Sequence, residues 1–172
     1  MPVIEVFFDY TCPYCQQGLG YLRELLPDYP HVRIDWKPVE AHPRLEEPWY
    51  NPHVDLAVQG ALFVKSRGGD ERAYHERVLR AYAEERQALD DIEVLAACAG
   101  ELGLPAREFR DALESGAFAK EQVEANAYAY GPQKVWAVPS LVCGEKRLDA
   151  VPNVGVTREQ VKKLLEDCCV QP

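Results

Sequence analysis

Cys12-Pro13-Tyr14-Cys15 follows directly on the apolar run Val3-Ile4-Glu5-Val6-Phe7-Phe8 and directly precedes an amphipathic stretch. No other feature restricts the fold as much, because it asks for a strand that ends at two thiols and a helix that begins on them. A helix N-terminus carries roughly half a positive charge and several unpaired N–H groups, which favour thiolate over thiol. The thiolate is the form that attacks a disulfide, so Cys12 reads as a nucleophile of lowered pKa. Pro13 suits the first helical turn, where its missing N–H costs nothing. Cys15 lies one turn deeper, within reach of a mixed disulfide formed on Cys12. The same spacing is half of a zinc site, and its position between strand and helix is what favours exchange.

Periodicity organises the rest. Residues 3–8 read as a buried strand, and 13–26 as a helix with Leu19, Leu22, Leu25 and Leu26 facing inward, stopped by Pro27 and Pro30. Val32, Ile34 and Trp36 alternate with Arg33, Asp35 and Lys37, a half-buried strand. A right-handed crossover then makes the two strands parallel. Residues 42–54, broken by His42-Pro43, Pro48 and Asn51-Pro52, read as a long connection crossing near the cysteine end. From about 55 to 130 helical spacing dominates, with Asp90-Asp91 capping one helix, Gly103 ending it, Pro105 starting the next and Ser115-Gly116 breaking that one. Val138 to Cys143 is a short apolar strand turned by Gly144-Glu145 into Lys146-Arg147-Leu148-Asp149, a hairpin. Thr157 with Gln160 resembles a capping box that opens a final helix. The expected fold class is therefore α/β, a βαβ…ββα layout with an inserted all-helical domain, divided as 1–54, 55–130 and 131–172.

Composition excludes some functions. A formal net charge of −9, with no basic cluster beyond pairs such as Lys162-Lys163, argues against nucleic-acid binding. No apolar run approaches the roughly 18–20 residues of a membrane span. The N-terminus enters a strand almost at once, without a basic segment or cleavage site, and the expected compartment is the cytoplasm. Six cysteines in 172 residues are too few for a disulfide scaffold. Cys98 and Cys143 read as small core residues. Cys168-Cys169 reads as an incidental helix end, with a shuttle or a metal-picking tail as alternatives. His31, His42, His53 and His75 are scattered without metal-ligand spacing. His42 and His53 fall in the connection, where a plain surface role is expected of both. Asp35 and Glu40 flank the second strand, and a solvated face is expected of both. Trp36, Trp49, Tyr50 and Trp136 read as core or groove lining, with Trp49 and Trp136 as candidates for an apolar rim.

Two segments carry a family resemblance: Phe7-Phe8-Asp9-Tyr10-Thr11-Cys12-Pro13-Tyr14-Cys15, and Val135-Trp136-Ala137-Val138-Pro139-Ser140 beyond the helices. Together the chain resembles the DsbA-like branch of the thioredoxin superfamily and, within it, the FrnE-like proteins. The resemblance implies a thioredoxin-like fold and thiol–disulfide oxidoreductase activity. Cys12 is then the nucleophile and Cys15 the resolving thiol, while Pro13 and Tyr14 tune the potential. It also implies a cis Pro139 facing the pair, with the backbone of Val138 exposed to an extended substrate. The implied substrate-binding set is Pro13, Tyr14, Val138 and Pro139. No metal and no cofactor beyond the cysteine pair is implied, with glutathione as a candidate reductant. The implied partners are protein or small-molecule disulfides and dithiols, together with an electron donor that the sequence leaves unidentified. Tyr14 stands where strongly oxidising relatives carry a histidine that can donate to the thiolate, so a milder potential is expected. Kappa-class glutathione transferases and 2-hydroxychromene-2-carboxylate isomerases are similar in architecture and form the first alternative, although they generally place serine where Cys12 stands. A non-catalytic metal- or partner-binding module using Cys12, Cys15 and the Cys168-Cys169 tail is the second.

Overall fold

β1 (Val3–Phe8) is buried on both faces: Ile4, Val6 and Phe8 enter one apolar cluster, and Phe7 enters another with Val39, Ala129, Val135 and Val142. A strand that is apolar on both sides belongs in the middle of a covered sheet. It lies there in the computed structural model, which describes residues 1–41 and 53–169. The sheet has four strands in the order β2-β1-β3-β4.

α1 (Pro13–Leu25), extended by a single 3-10 turn at Leu26–Asp28, carries the chain over to β2 (Arg33–Pro38). β2 runs parallel to β1, with Ile4 opposite Ile34 and Val6 opposite Trp36. β3 (Ser140–Cys143) pairs antiparallel to β1, Val6 opposite Leu141, and β4 (Lys146–Asp149) closes the hairpin. The last helix, α7 (Arg158–Cys169), packs on α1. Its start is a reciprocal cap: Thr157 N–H donates to Gln160 Oε1 at 2.8 Å, and Gln160 N–H donates to Thr157 Oγ1 at 3.2 Å.

Between β2 and β3 stand α2 (Asp55–Ser66), α3 (Glu71–Ala83), α4 (Ile92–Glu101), α5 (Ala106–Glu114) and α6 (Ala119–Tyr130). Asp91 caps α4 by accepting the N–H of Glu93 at 2.9 Å, and Gly103 ends it at φ +75°, where a side chain would be strained. Tyr74, Phe63 and Phe109 interlock inside this helical layer. The layer does not keep a core of its own. One contiguous apolar cluster runs from Ile4, Leu22 and Leu165 through Val58 and Tyr74 to Phe109.

Several sequence expectations need correction. The strand drawn from Val138 begins only at Ser140, because Pro139 has no N–H for the ladder; its carbonyl instead accepts the N–H of Ala150 at 3.0 Å. Cys143 is buried as expected, yet it is bonded to Cys168, with the two Cα atoms 6.3 Å apart. Cys168 is thus not an incidental helix end, since the last turn of α7 reaches the end of β3. His75, for which the spacing predicted no place, is fully buried on α3, ringed by Phe8, Tyr10, Trp36 and Tyr74. The expected connection lies almost wholly outside the described residues, and His42, Trp49 and Tyr50 with it.

Candidate active site

β1 ends at Phe8, and four residues turn the chain into α1. Asp9, buried at the head of that turn, braces it: Oδ1 accepts the N–H and the hydroxyl of Thr11, each at 2.8 Å, and Oδ2 accepts the N–H of Ala41 at 2.9 Å. The carboxylate thereby ties the exits of the two parallel strands together.

Cys12 is the N-cap of α1, in extended backbone at φ −84° and ψ 118°, and Pro13 occupies the first turn. The Cys12 sulfur accepts the N–H of Cys15 at 3.3 Å, a place usually held by a serine or aspartate oxygen. The Cys15 side chain, hydrogen-bonded to the Cys12 sulfur, lowers the Cys12 pKa from 9.0 to about 7, helped by the backbone N–H groups of Cys15 and Tyr14 and opposed by partial burial and the Asp9 charge. Cys15 differs in every respect. It is completely buried, and burial first, then the neighbouring Cys12, pushes its thiol well above the ordinary cysteine value. Both residues are present as thiols. One sulfur is accessible and readily ionised, the other protected and protonated.

The second predicted segment meets the first. The Val138–Pro139 peptide bond is cis, and the carbonyl of Val138 lies 3.8 Å from Cys12 Sγ, within reach of its S–H. Pro139 is buried against Gly18 on α1, where an added Cβ would come within 2.9 Å of Pro139 Cγ and 3.1 Å of Val156 Cγ2. All six predicted site residues therefore converge: Cys12, Pro13, Tyr14 and Val138 line one groove of about 520 Å³, with Cys15 and Pro139 buried beside it. Tyr14 faces Cys12 through its backbone, while its ring rests on Gly155, which at φ +83° leaves room for it.

Other residues complete the groove. Trp136, 65 % exposed, stands on its wall as expected of an apolar rim, and Pro152 and Asn153 line the same groove. Sequence reasoning missed Tyr130, Pro152 and Asn153, which enter from α6 and the loop after β4. The Tyr130 hydroxyl donates to the carbonyl of Glu40, and burial raises its pKa, helped by Asp9 and Glu40. Glu40 is buried and not on the solvated face expected of it, and it pairs at 2.5 Å with His53, whose side chain stays 40 % exposed. Asp35 instead pairs with Lys37 and Lys65. The acid whose charge reaches both cysteines is Asp9, a member of the quoted motif to which no role was given. Among the described residues, no three His, Cys, Asp or Glu side chains converge as a metal-ligand set.

Comparison with known proteins agrees with this geometry. The Bacillus subtilis protein YwbO is 27 % identical over 175 residues, covering 83 % of this chain and 86 % of its own length. The structure of the "probable DsbA oxidoreductase" of Streptomyces coelicolor superposes with a TM-score of 0.84 at 18 % identity, covering 100 % of this chain and 92 % of the other. Chlamydia trachomatis DsbA gives 0.72 at 18 % identity, with 96 % and 85 % covered. A 2-hydroxychromene-2-carboxylate isomerase gives 0.73 at 18 % identity, with 96 % and 93 % covered. The profile of the DSBA-like thioredoxin domain matches residues 3–166, nearly the whole length, and the chain belongs to that family.

Proposed function

We propose that this protein is a thiol–disulfide oxidoreductase working through Cys12 and Cys15. The observation that carries the reading is the asymmetry of the pair: an accessible Cys12 with a pKa of about 7 beside a buried, protonated Cys15. Cys12 thiolate attacks one sulfur of a substrate disulfide, that S–S bond breaks, and the departing thiolate takes up a proton. Cys15 then loses its proton and attacks Cys12 Sγ. The second substrate thiol leaves, and two electrons have passed to the substrate. Oxidation of a dithiol is the reverse. The groove along Trp136 and Val138 suits an extended polypeptide, since the carbonyl of Val138 offers a backbone acceptor next to the reacting sulfur.

The finer assignment follows from the sequence. The motif supports grouping the chain with the FrnE-like proteins, and its Cys-Pro-Tyr-Cys pair supports a milder potential than that of a dedicated oxidant. We assign it to the cytoplasm, acting on protein or small-molecule disulfides, with no cofactor beyond the cysteine pair and with glutathione or another thiol donor regenerating it. The likeness to the isomerase rests on the shared fold, and the second cysteine favours exchange.

Reduction of insulin by wild type, Cys12→Ser and Cys15→Ser tests the proposal. Wild type should be active, Cys12→Ser inactive, and Cys15→Ser should stall as a mixed disulfide on Cys12. Full activity in Cys12→Ser would overturn the assignment.

A further inference from the structure

The end of the sheet away from Cys12 holds a second group of sulfurs. Cys143 closes β3, and Cys168 and Cys169 close α7. Cys143 and Cys168 are bonded and buried, 2 % and 1 % exposed, so a thiol or disulfide from solvent meets neither sulfur directly. Cys169, the next residue, is a free thiol and partly exposed. His31, just before β2, brings Nε2 to 2.9 Å from Cys169 Sγ, close enough to take the thiol proton. An accessible thiol with a base, one residue from a buried cysteine pair, repeats the division of labour between Cys12 and Cys15.

We infer that His31, Cys143, Cys168 and Cys169 form a second thiol–disulfide centre, in which Cys169 is the receiving thiol for low-molecular-weight disulfides such as oxidised glutathione. From the reduced state, Cys169 passes its proton to His31 and attacks one sulfur of oxidised glutathione. The glutathione S–S bond breaks, and the departing glutathione thiolate is protonated by His31. Cys143 then attacks Cys169 Sγ and releases the second glutathione, to which the Cys143 proton passes. Cys168 displaces Cys169 in turn, leaving the Cys143–Cys168 bond and a restored Cys169 thiol. Two protein thiols have been oxidised, and one glutathione disulfide has become two glutathione thiols. Fraying of the last turn of α7 supplies the movement these exchanges need. The bond closes the segment that carries Gly155, against Tyr14, and Val156, against Gly18. The state of this centre therefore bears on how the loop beside the first site is held.

The test uses full-length Cys12→Ser/Cys15→Ser protein, which silences the first centre, titrated across reduced and oxidised glutathione with thiol counting and peptide mapping. A single transition losing two thiols is expected, mapped to Cys143 and Cys168. Adding Cys169→Ser should leave that end point unchanged but slow its approach by about tenfold or more. Adding His31→Gln, which removes the base 2.9 Å from Cys169 Sγ, should slow it as well. Three results would each overturn the inference: a pair that stays bonded in excess reduced glutathione, a pair that never forms in excess oxidised glutathione, or an unchanged rate in Cys169→Ser.

Discussion

The sulfur of Cys12 accepts the backbone N–H of Cys15 at 3.3 Å, whereas the sulfur of Cys15 is sealed beneath the first turn of α1. One short helical turn thus separates the two thiols chemically. With the Cys12 pKa near 7, alkylation of the reduced protein by iodoacetamide should rise about tenfold per pH unit below pH 7 and level off above pH 8. Mapping should find the label on Cys12 and not on Cys15 at any pH where the fold holds. A midpoint near 9 would mean that the Cys15 thiol and the N–H groups of the first turn do not stabilise the thiolate.

Asp9 opposes that stabilisation. Its charge raises both thiols, so Asp9→Asn should move the Cys12 midpoint below 7 and make the couple more oxidising, because the thiolate-bearing reduced form gains stability. Equilibration with glutathione measures the potential. A shift toward a more reducing value would show that bracing of Thr11 and Ala41, and not charge, is what Asp9 contributes.

Gly18 leaves its missing side chain's place to Pro139 and Val156. In Gly18→Ala the new methyl meets Pro139 Cγ at 2.9 Å, and overpacking of this kind costs about 1–3 kcal/mol. Since Pro139 adjoins Val138, exchange activity should fall together with Tm. Gly20→Ala, two residues along and on the other side of the helix with nothing within 4 Å, is the control and should match wild type or exceed it in stability.

His75 makes the fold acid-sensitive. Burial lowers its pKa from 6.5 to about 3, so the imidazole stays neutral in the folded chain while the unfolded chain takes up a proton. The unfolded state therefore binds more protons between those two values. The stability His75 contributes is complete above 6.5 and is lost as pH falls toward 3, by at most about 1.4 kcal/mol per pH unit. His75→Gln keeps a polar partner for the Tyr10 hydroxyl, which lies 2.7 Å from Nδ1, and does not titrate. Urea unfolding from pH 4 to 7 should show a shallower dependence in the variant.

Trp136 is the large apolar side chain on the groove wall that remains open to solvent. Trp136→Ala should raise KM for a peptide disulfide about tenfold while kcat holds, as expected of a contact equally strong in ground and transition states. Stability should change little, because the indole is exposed.

The core of this reading was legible along the chain because it is local. A buried strand, two thiols at a helix start and a proline in the first turn declare themselves within a few positions, and the caps at Asp91 and Thr157 do the same. The middle of the chain was legible as a helical stretch of four or five helices, through the apolar spacing of Tyr74 to Tyr82, Ile92 to Leu102 and Phe109 with Leu113. Their sharing of one core with the sheet was not, since periodicity gives a face and not its partner.

What the sequence by itself determined, then, is the strand–helix junction that presents Cys12, together with the run of elements on either side of the helices. Tertiary structure alone decided the rest. It brought the carbonyl of Val138 to Cys12 across 126 positions of chain, buried Glu40 against His53, and turned Asp9 into the acid beside the thiols. It also joined Cys143 to Cys168, where the sequence showed only a core residue and a helix end. The physical reason is common to all of these. Which thiol ionises, which acid is buried and which cysteines meet depend on distances of a few ångströms between segments far apart in sequence, and only the packed sheet and helices set those distances.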